Sequence, residues 1–395
     1  MRSADEPLVI VSSDCHIGPR LVEDLRPYCP ADLLSRFDDY VNDSTRSRGR
    51  YLEHEGDDEG KTARWRNQRI AGHHDPAARR RDLDFEGVAG EVVFHGSQND
   101  QSIPFQTSMI GAPDDPDLAA TGIHIYNRWL ADMCAQAPHR HVGLAHLPLW
   151  DLDASLDEAR WAAEAGLRGI NFPAPRTWLR PYHDRSWEPL WALAERLALP
   201  LTTHSGAGDP SLYQFLGPEG IALMTLESGG WFSRRAVHQL IFAGVFERHP
   251  ELKLVLTEQP GEWWSYLEGE LDSVYAATTG DDGGALRAQV PRRPSEYLHR
   301  NVFIGGSFLS RSEARTAVDE GYADRVMWGS DYPHMEGTFQ AGETSLGPLS
   351  LRFTFAGHDE RAVRDMVGGT AVAVYGMDRD GLHREAVRIG APSFT

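Results

Sequence analysis

The sequence predicts an α/β chain folded as a (β/α)8 TIM barrel. Three observations predict it. Runs rich in β-formers alternate with helical patterns eight times along the 395 residues, which indicates βαβ units in a parallel sheet. Several of these runs end in His or an acid, as an active site at the C-terminal rim of a barrel requires. No Gly-x-Gly-x-x-Gly follows the first run, so the runner-up, an open doubly wound sheet, lacks its dinucleotide signature.

Leu8 to Ser12 reads as the first strand, and Asp14-Cys15-His16 as the point where the chain leaves the sheet. Asp14 and His16 are two residues apart, so in extended chain they point to one side and Cys15 points away into packing. Leu21 to Phe37 is mixed and holds a short helix. Residues 42–86 carry Thr45-Arg-Ser-Arg-Gly-Arg50, Glu53-His-Glu-Gly-Asp-Asp-Glu59 and Ala77-Ala-Arg-Arg-Arg81, with little apolar periodicity. A polar insert of this length is a lid, a dimer contact or a disordered segment.

From Gly90 the alternation is regular. Strands are expected at Gly90–His95, Val142–Leu147, Gly169–Phe172, Leu201–His204, Leu252–Glu258, Asn301–Gly305 and Val326–Ser330. Helices fall between them. In Leu118–Ala137 the residues Ile123, Tyr126, Trp129, Leu130 and Met133 share one stripe. Asp153–Ala165 has Asp153 as N-cap and Gly166 just past its end. Ser186–Leu197, Phe232–Arg248, Glu262–Leu271, Ser312–Glu320 and Asp359–Val374 complete the set, while Gly206–Gly230 is a Gly-rich loop and Thr278–Gly284 a surface turn. Residues 1–395 thus form a single barrel domain with a polar insert at 42–86 after the first strand.

Composition narrows the function. Against 58 acidic residues stand 39 Lys and Arg, a formal net charge of -19. Such a surface repels phosphate backbones and anionic lipid heads, so nucleic acid and membrane are not expected partners. The first residues hold no apolar signal core, and no apolar run approaches a membrane span. Cys15, Cys29 and Cys134 form no framework, which fits reduced thiols in a cytoplasmic protein. A small-molecule substrate is expected.

The chemistry lies at the strand ends. Asp14, His16, His204 and Asp331 supply two carboxylates and two imidazoles. A divalent cation takes such a set with a position left open for water or substrate, and zinc or manganese suits it because no thiolate is included. Singly, each residue has a plainer reading. A lone His after a strand is commonly a satisfied polar residue, Asp14 can form a turn, and Asp331 before Tyr-Pro can cap a loop. Four together at strand ends are hard to obtain by accident. Glu258 ends an otherwise mostly apolar strand, where it can be a general base, a further ligand or a fixed acceptor for a substrate hydroxyl, or else a salt-bridge partner. His334, three residues after Asp331, either faces the pocket or stabilises the loop. Arg176 and Arg180 follow the fourth strand and can hold a substrate carboxylate. Trp263, Trp264, Trp328 and Phe308 read as packing before pocket wall, and His73-His74 as a solvated pair.

These residues resemble the amidohydrolase superfamily, in particular the amidohydrolase-related branch that includes aminocarboxymuconate semialdehyde decarboxylase. The resemblance covers Val9 to about Met377. It rests on Ser13-Asp14-Cys15-His16, Leu199-Pro-Leu-Thr-Thr-His204, Gly244-Val-Phe-Glu-Arg-His-Pro-Glu-Leu-Lys253 and Gly329-Ser-Asp331-Tyr-Pro-His334. It implies one divalent metal, zinc or manganese, on Asp14, His16, His204 and Asp331, and a homodimer or higher homo-oligomer. Decarboxylases of the branch use a strand-six His as acid or base, and Glu258 stands at that position here. With Asp14, Asp331 and Glu258 all ionised, a divalent site carries net charge minus one. A substrate carboxylate is then held less well unless an Arg compensates or Glu258 is protonated. Two chemistries follow. One is non-oxidative decarboxylation of a small aromatic or unsaturated carboxylic acid, with a protonated group delivering a proton to carbon. The other is hydrolysis of an amide, ester or lactone by metal-activated water, with Glu258 or Asp331 as base. The resemblance favours the first, and the Glu258 departure favours the second. A barrel that binds ligand without turnover is a third reading, opposed by the complete ligand set.

Overall fold

In the computed structural model, residues 6–52, 66–99, 101–106, 111–205, 230–259, 262–341 and 345–394 are described. Eight strands carry the fold: β1 (Val11–Ile17), β2 (Gly90–His95), β3 (His141–Ala145), β4 (Gly169–Asn171), β5 (Leu201–His204), β6 (Leu254–Thr257), β7 (Val302–Ser307) and β8 (Val326–Gly329). Each pairs in parallel with the next, in the order β1 to β8. The ring is drawn shut where β8 ends: Asp331 N–H donates to Asp14 C=O at 3.0 Å, and Cys15 bridges to Tyr332 in parallel sense. This is the (β/α)8 TIM barrel that the alternation predicts.

Side chains alternate across the strands and so build two cores. Val11, Val92, Val142, Val255, Phe303 and Met327 form one cluster; β3 and β6 are not neighbours, so these residues meet through the barrel interior. The outward-facing set packs on the helices, with Ile170, Leu190, Trp191, Leu240 and Leu298 all buried in one cluster. Cys15 belongs to this outer layer and is fully buried. Trp263, Trp264 and Trp328 are buried packing residues, whereas Phe308 is exposed. Among the described residues the three cysteines are free, and no helix is long and apolar enough to cross a membrane.

The structure departs from the sequence-based expectation at several places. β1 starts later and runs further, so Asp14 and His16 lie within it rather than beyond it, and its register against β2 shifts between Ser12 and Cys15. The helix expected over Phe232–Arg248 is two, Ser233–Phe242 and Val245–Arg248, separated at Gly244 with φ 65°. The expected turn at Thr278–Gly284 is instead the start of the helix Gly280–Gln289, where Asp281 and Asp282 in the first turn favour the positive end of the helix dipole. Within 42–86, helices occupy Leu34–Leu52 and Pro76–Glu86, while 53–65 lie outside the described residues. Pro76–Glu86 is well specified: Asp75 caps it by accepting from Ala78 N–H, Pro76 sits in its first turn, and Gly87 ends it at φ 75°. Its apolar stripe is hidden because its buried residues are Ala78, Arg79, Leu83 and Glu86, two of them charged.

Those two charges have opposite fates. Arg79, wholly buried, forks onto Glu91 of β2 at 2.7 Å through both Nε and Nη2. Its Nη1 donates to the carbonyl of His16 at 2.7 Å, and its guanidinium lies 4.8 Å from the Tyr332 ring centre. His141 of β3 completes the group, Nδ1 at 2.8 Å from Glu91 Oε1. Burial works against the Glu91 charge, yet Arg79 and His141 hold its carboxyl far below the ordinary range. Glu86 has only hydroxyl partners, Thr338 and Ser345, and its Oε2 is buried without a hydrogen bond. Burial therefore pushes it up to about 8.

Arg79→Met leaves Glu91 buried without its cation and is expected to lower unfolding free energy by about 3–5 kcal/mol, read by denaturant melts. Glu86 sets a pH dependence of the opposite kind. Its proton is kept in the folded chain and lost from the unfolded chain above about 4.5, so stability falls as pH rises from there toward about 8. Glu86→Gln should flatten that slope, which is at most about 1.4 kcal/mol per pH unit; an unchanged slope in urea melts between these pH values would show that Glu86 stays ionised.

Candidate metal centre and cavity

The strand tips bring the four predicted residues together. Asp14 and His16 come from β1, His204 closes β5, and Asp331 follows β8. His16 Nε2 lies 3.2 Å from Asp14 Oδ1, 3.2 Å from Asp331 Oδ1 and 3.1 Å from His204 Nε2. His204 Nε2 is 3.5 Å from Asp14 Oδ1. Two overlapping sets with metal-ligating geometry result, Asp14–His16–His204 and His16–Asp331–His334, sharing His16. Gly329 makes room for this approach: a Cβ there would fall 2.9 Å from Asp14 Cβ and 2.6 Å from Ser307 Oγ.

His334, the residue with two sequence readings, is not among the residues lining the cavity and packs against the metal-capable cluster. Its ring stacks on His16 at 3.9 Å, its Nδ1 is 3.0 Å from Asp331 Oδ1, and its Nε2 donates to Gly96 C=O at 2.9 Å. Glu258 stands just after β6. Its Oε2 lies 3.4 Å from His204 Nε2 and accepts from Ser205 Oγ. Glu258 and Asp331 both have positive φ, 53° and 55°, a conformation that L-residues seldom adopt and that collects at functional sites.

These groups fit a divalent cation. Asp14 Oδ1 and both Asp331 oxygens are buried without a hydrogen bond; only Asp14 Oδ2 has a donor, Ser307 Oγ at 2.6 Å. Two imidazole Nε2 atoms face each other at hydrogen-bond distance. Without a cation the carboxylates draw protons onto the rings: burial opposes it, but Asp14 raises His16 to about 10, and Asp14 with Glu258 raises His204 to about 9. A metal ion would take over that positive charge and leave the imidazoles neutral as ligands. His16 is oriented from behind by the His95 carbonyl, 3.4 Å from its Nδ1, as ligating imidazoles generally are. Burial raises Glu258 above its ordinary value; His204 opposes this, and the charges of Asp14 and Asp331 add to it.

A cavity of about 390 Å³ opens beside His204 and Ser205. Phe94, Phe172 and Trp178 give it aromatic walls, and Arg176 is its only cation among the described residues. Arg180 does not line it and is exposed. His73, read from the sequence as solvated, is buried, with Nδ1 on Ser97 Oγ at 2.8 Å and Nε2 on Asn67 C=O at 2.7 Å. Sequence reasoning passed over His95 and His146, which line the cavity from the ends of β2 and β3. Their signal was available: each follows a β-run, as His204 does. Burial keeps both imidazoles neutral, His95 lowered to about 3 and His146 to about 4.

Fold and site together define a (β/α)8 barrel with a carboxylate–imidazole centre at its C-terminal rim. The chain belongs to the amidohydrolase family, whose model matches residues 102–377, in the branch that includes aminocarboxymuconate semialdehyde decarboxylase. It is 30% identical over 223 residues to the gamma-resorcylate decarboxylase of Rhodococcus jostii (strain RHA1), covering 52% of this chain and 64% of that protein. It is 26% identical over 310 residues to the 2-amino-3-carboxymuconate-6-semialdehyde decarboxylase of Dictyostelium discoideum, covering 77% of each. The fold also matches a 5-carboxyvanillate decarboxylase of Novosphingobium aromaticivorans, crystallised with manganese and a nitrobenzoic acid. There the TM-score is 0.65 and identity 17%, over 95% of this chain and 99% of that one.

Elemental analysis tests the centre. The wild-type protein is expected to hold about one divalent ion per chain, and His204→Ala and Asp331→Ala are each expected to lose most of it. Metal content unchanged in both variants would refute the assignment.

Proposed function

We propose that the protein is a metal-dependent carboxy-lyase acting on a small aromatic or unsaturated carboxylic acid without oxidation. The observation that carries this reading is the cavity: one wall is His204 of the candidate metal centre, and the rest sets Phe94, Trp150, Phe172 and Trp178 among aliphatic and uncharged polar side chains, with a single described cation, Arg176. The curated relatives are named for decarboxylation of such acids, and two solved neighbours bind manganese.

Asp14, His16, His204 and Asp331 would hold the ion, zinc or manganese. A bound divalent cation supplies positive charge and open positions for substrate oxygens. Arg176 offers the compensating charge that an anionic substrate requires beside so many carboxylates. The aromatic walls hold the ring flat and exclude water. In the reaction the bond between the ring carbon and the carboxyl carbon breaks. Its electron pair stays on the ring carbon, carbon dioxide leaves, and a proton takes the vacated place. Glu258, whose Oε2 accepts from Ser205 Oγ of the cavity wall, is assigned as the proton donor, since burial and the nearby carboxylates favour its acid form. The same environment disfavours Glu258 as the ionised base of the hydrolytic reading. His334 holds Asp331 and His16 in place by contact with both.

Manganese-loaded protein is expected to release carbon dioxide from hydroxybenzoates. Glu258→Gln should retain the metal and lose at least about 100-fold in turnover. Release of an amine or alcohol from amides or esters, with no carbon dioxide from any aromatic acid, would replace this reading with the hydrolytic one.

A further inference from the structure

The metal centre stands at one side of the cavity, where His204 ends β5. From there the cavity runs past the tips of β2 and β3 to the helix Pro116–Ala135 of the outer layer. Its end at that helix is apolar, lined by Ile103, Ala119, Ile123, Leu147, Leu149 and Trp150. Nothing in the proposed reaction uses this end. We propose that it is an apolar subsite, and that the acid this protein binds carries an apolar arm there, the size of a second ring or a short alkyl chain. The inference rests on the aromatic-acid reading and adds to it the part of the molecule farthest from the metal centre.

Volume is the first argument. The cavity measures about 390 Å³. At roughly 30 Å³ of liquid volume per water, that is room for about a dozen waters, and a six-membered ring with one carboxylate displaces only about half of them. The remainder faces aliphatic walls, where water finds few partners and an alkyl or aryl group is favoured.

The second argument is that the apolar end is built. Ala119 and Ile123, one turn apart on the helix, are buried, yet neither belongs to an apolar cluster among the described residues. They line the cavity instead, and an apolar group beside them would restore the contacts that an empty space forfeits. The facing wall is pressed onto the same helix at Gly122, where a Cβ would fall 1.8 Å from the Pro104 carbonyl oxygen. Tyr40 holds that segment from behind: its hydroxyl lies 2.7 Å from Ser102 Oγ and donates to Ile103 C=O at 3.3 Å. Phe105 packs on the rings of Phe37 and Tyr40 at 5.8 and 5.5 Å. On the other side Asn127, one turn beyond Ile123, takes His146 N–H at 3.0 Å and donates to His146 C=O at 2.9 Å. That pair fixes the strand end leading into Leu147. Trp150 meets Trp178 with ring centres 6.4 Å apart, so the wall continues into the segment after β4. A wall held at so many points keeps its shape, and binding against it costs little ordering entropy.

The polar groups nearby are already engaged. Ser102 is taken by Tyr40, Gln101 Oε1 accepts from Leu21 N–H at 3.2 Å, and Asn171 Nδ2 lies 3.0 Å from His146 Nε2. Arg176, the one described cation of the cavity, is matched by the single carboxylate of the reading above. An arm with a second charge would therefore rest on aliphatic side chains without a partner.

Calorimetry on the manganese-loaded protein tests this with benzoate, 3-phenylbenzoate, 4-phenylbenzoate, 4-butylbenzoate and biphenyl-4,4′-dicarboxylate as probes. At least one of the singly charged extended acids is expected to bind at least about tenfold more tightly than benzoate, with a more negative heat-capacity change. The dicarboxylate is expected to bind no more tightly than 4-phenylbenzoate. Ala119→Phe and Ile103→Trp fill the apolar end and should each cut the advantage of the arm to about twofold or less, with metal content and benzoate affinity retained. An advantage missing from the wild type overturns the subsite, as does one that survives both filled variants, or a dicarboxylate that binds more tightly than 4-phenylbenzoate. Should a filled variant lose metal and benzoate together, the wild-type comparison decides alone. Carbon dioxide release is scored separately: the expected binding pattern without it upholds the subsite and rejects the decarboxylase reading. Carbon dioxide release with no gain from any arm does the reverse. No binding of any aromatic acid rejects both.

Discussion

The structure turns on two carboxylates buried without enough donors. Asp14 and Asp331 are fully shielded from water, and three of their four oxygens accept no hydrogen bond. An ionised carboxylate in such a place is tolerated only beside compensating positive charge. Among the described residues that charge can come from protons on His16 and His204, whose Nε2 atoms face each other 3.1 Å apart. Two imidazolium groups at that distance repel, whereas one divalent cation among all four side chains satisfies carboxylates and imidazoles together. The buried acids therefore argue for a cation more strongly than the presence of histidines does.

Much of the surrounding chain serves to hold this arrangement. The register shift in β1 places Asp14 and His16 on one side while Cys15 packs outward. Gly329 lets β8 pass close to Asp14. Asp331 adopts its unusual backbone where the chain returns across β1, and its own N–H closes the ring on the Asp14 carbonyl. Arg79 reaches in from the helix Pro76–Glu86 to hold the His16 carbonyl and lie over Tyr332. One buried ion pair thus ties the segment after β1 to both ends of the barrel seam, which makes that segment part of the support of the site.

The barrel and the convergence of Asp14, His16, His204 and Asp331 were legible because each rests on a local pattern. Val326–Gly329 is a short β-run, and Asp331 follows it at once. β5 ends at His204 as the sequence indicates. What was illegible depended on partners distant in the chain. Arg79 sits on a helix face that looks polar in sequence, and only Glu91 and His141 reveal that it is buried. Glycines at 280, 283 and 284 read as a turn, but the acids in the first turn and the helix-forming residues up to Gln289 prevail. His95 and His146 followed the same rule as His204. The cavity that gives them meaning is assembled from several strand tips, and no single stretch of sequence shows it.

A barrel rim allows its tasks to be separated by strand. The residues at β1, β5 and β8 that carry the family resemblance would fix a cation and with it the class of chemistry. Glu258 at the end of β6 departs from the histidine that the branch uses, and that change alters charge as well as proton chemistry. A neutral histidine adds nothing to the electrostatic sum, whereas an ionised glutamate subtracts one charge close to a site meant for an anion. The fold answers by burying Glu258 beside two other acids, so that its neutral form is favoured. The same acidic surroundings explain why a cation such as Arg176, in the segment after β4, is needed in the cavity. On this division, the side chains that line the cavity after β2, β3 and β4 bear on which acid is accepted, while the candidate ligands stand on β1, β5 and β8.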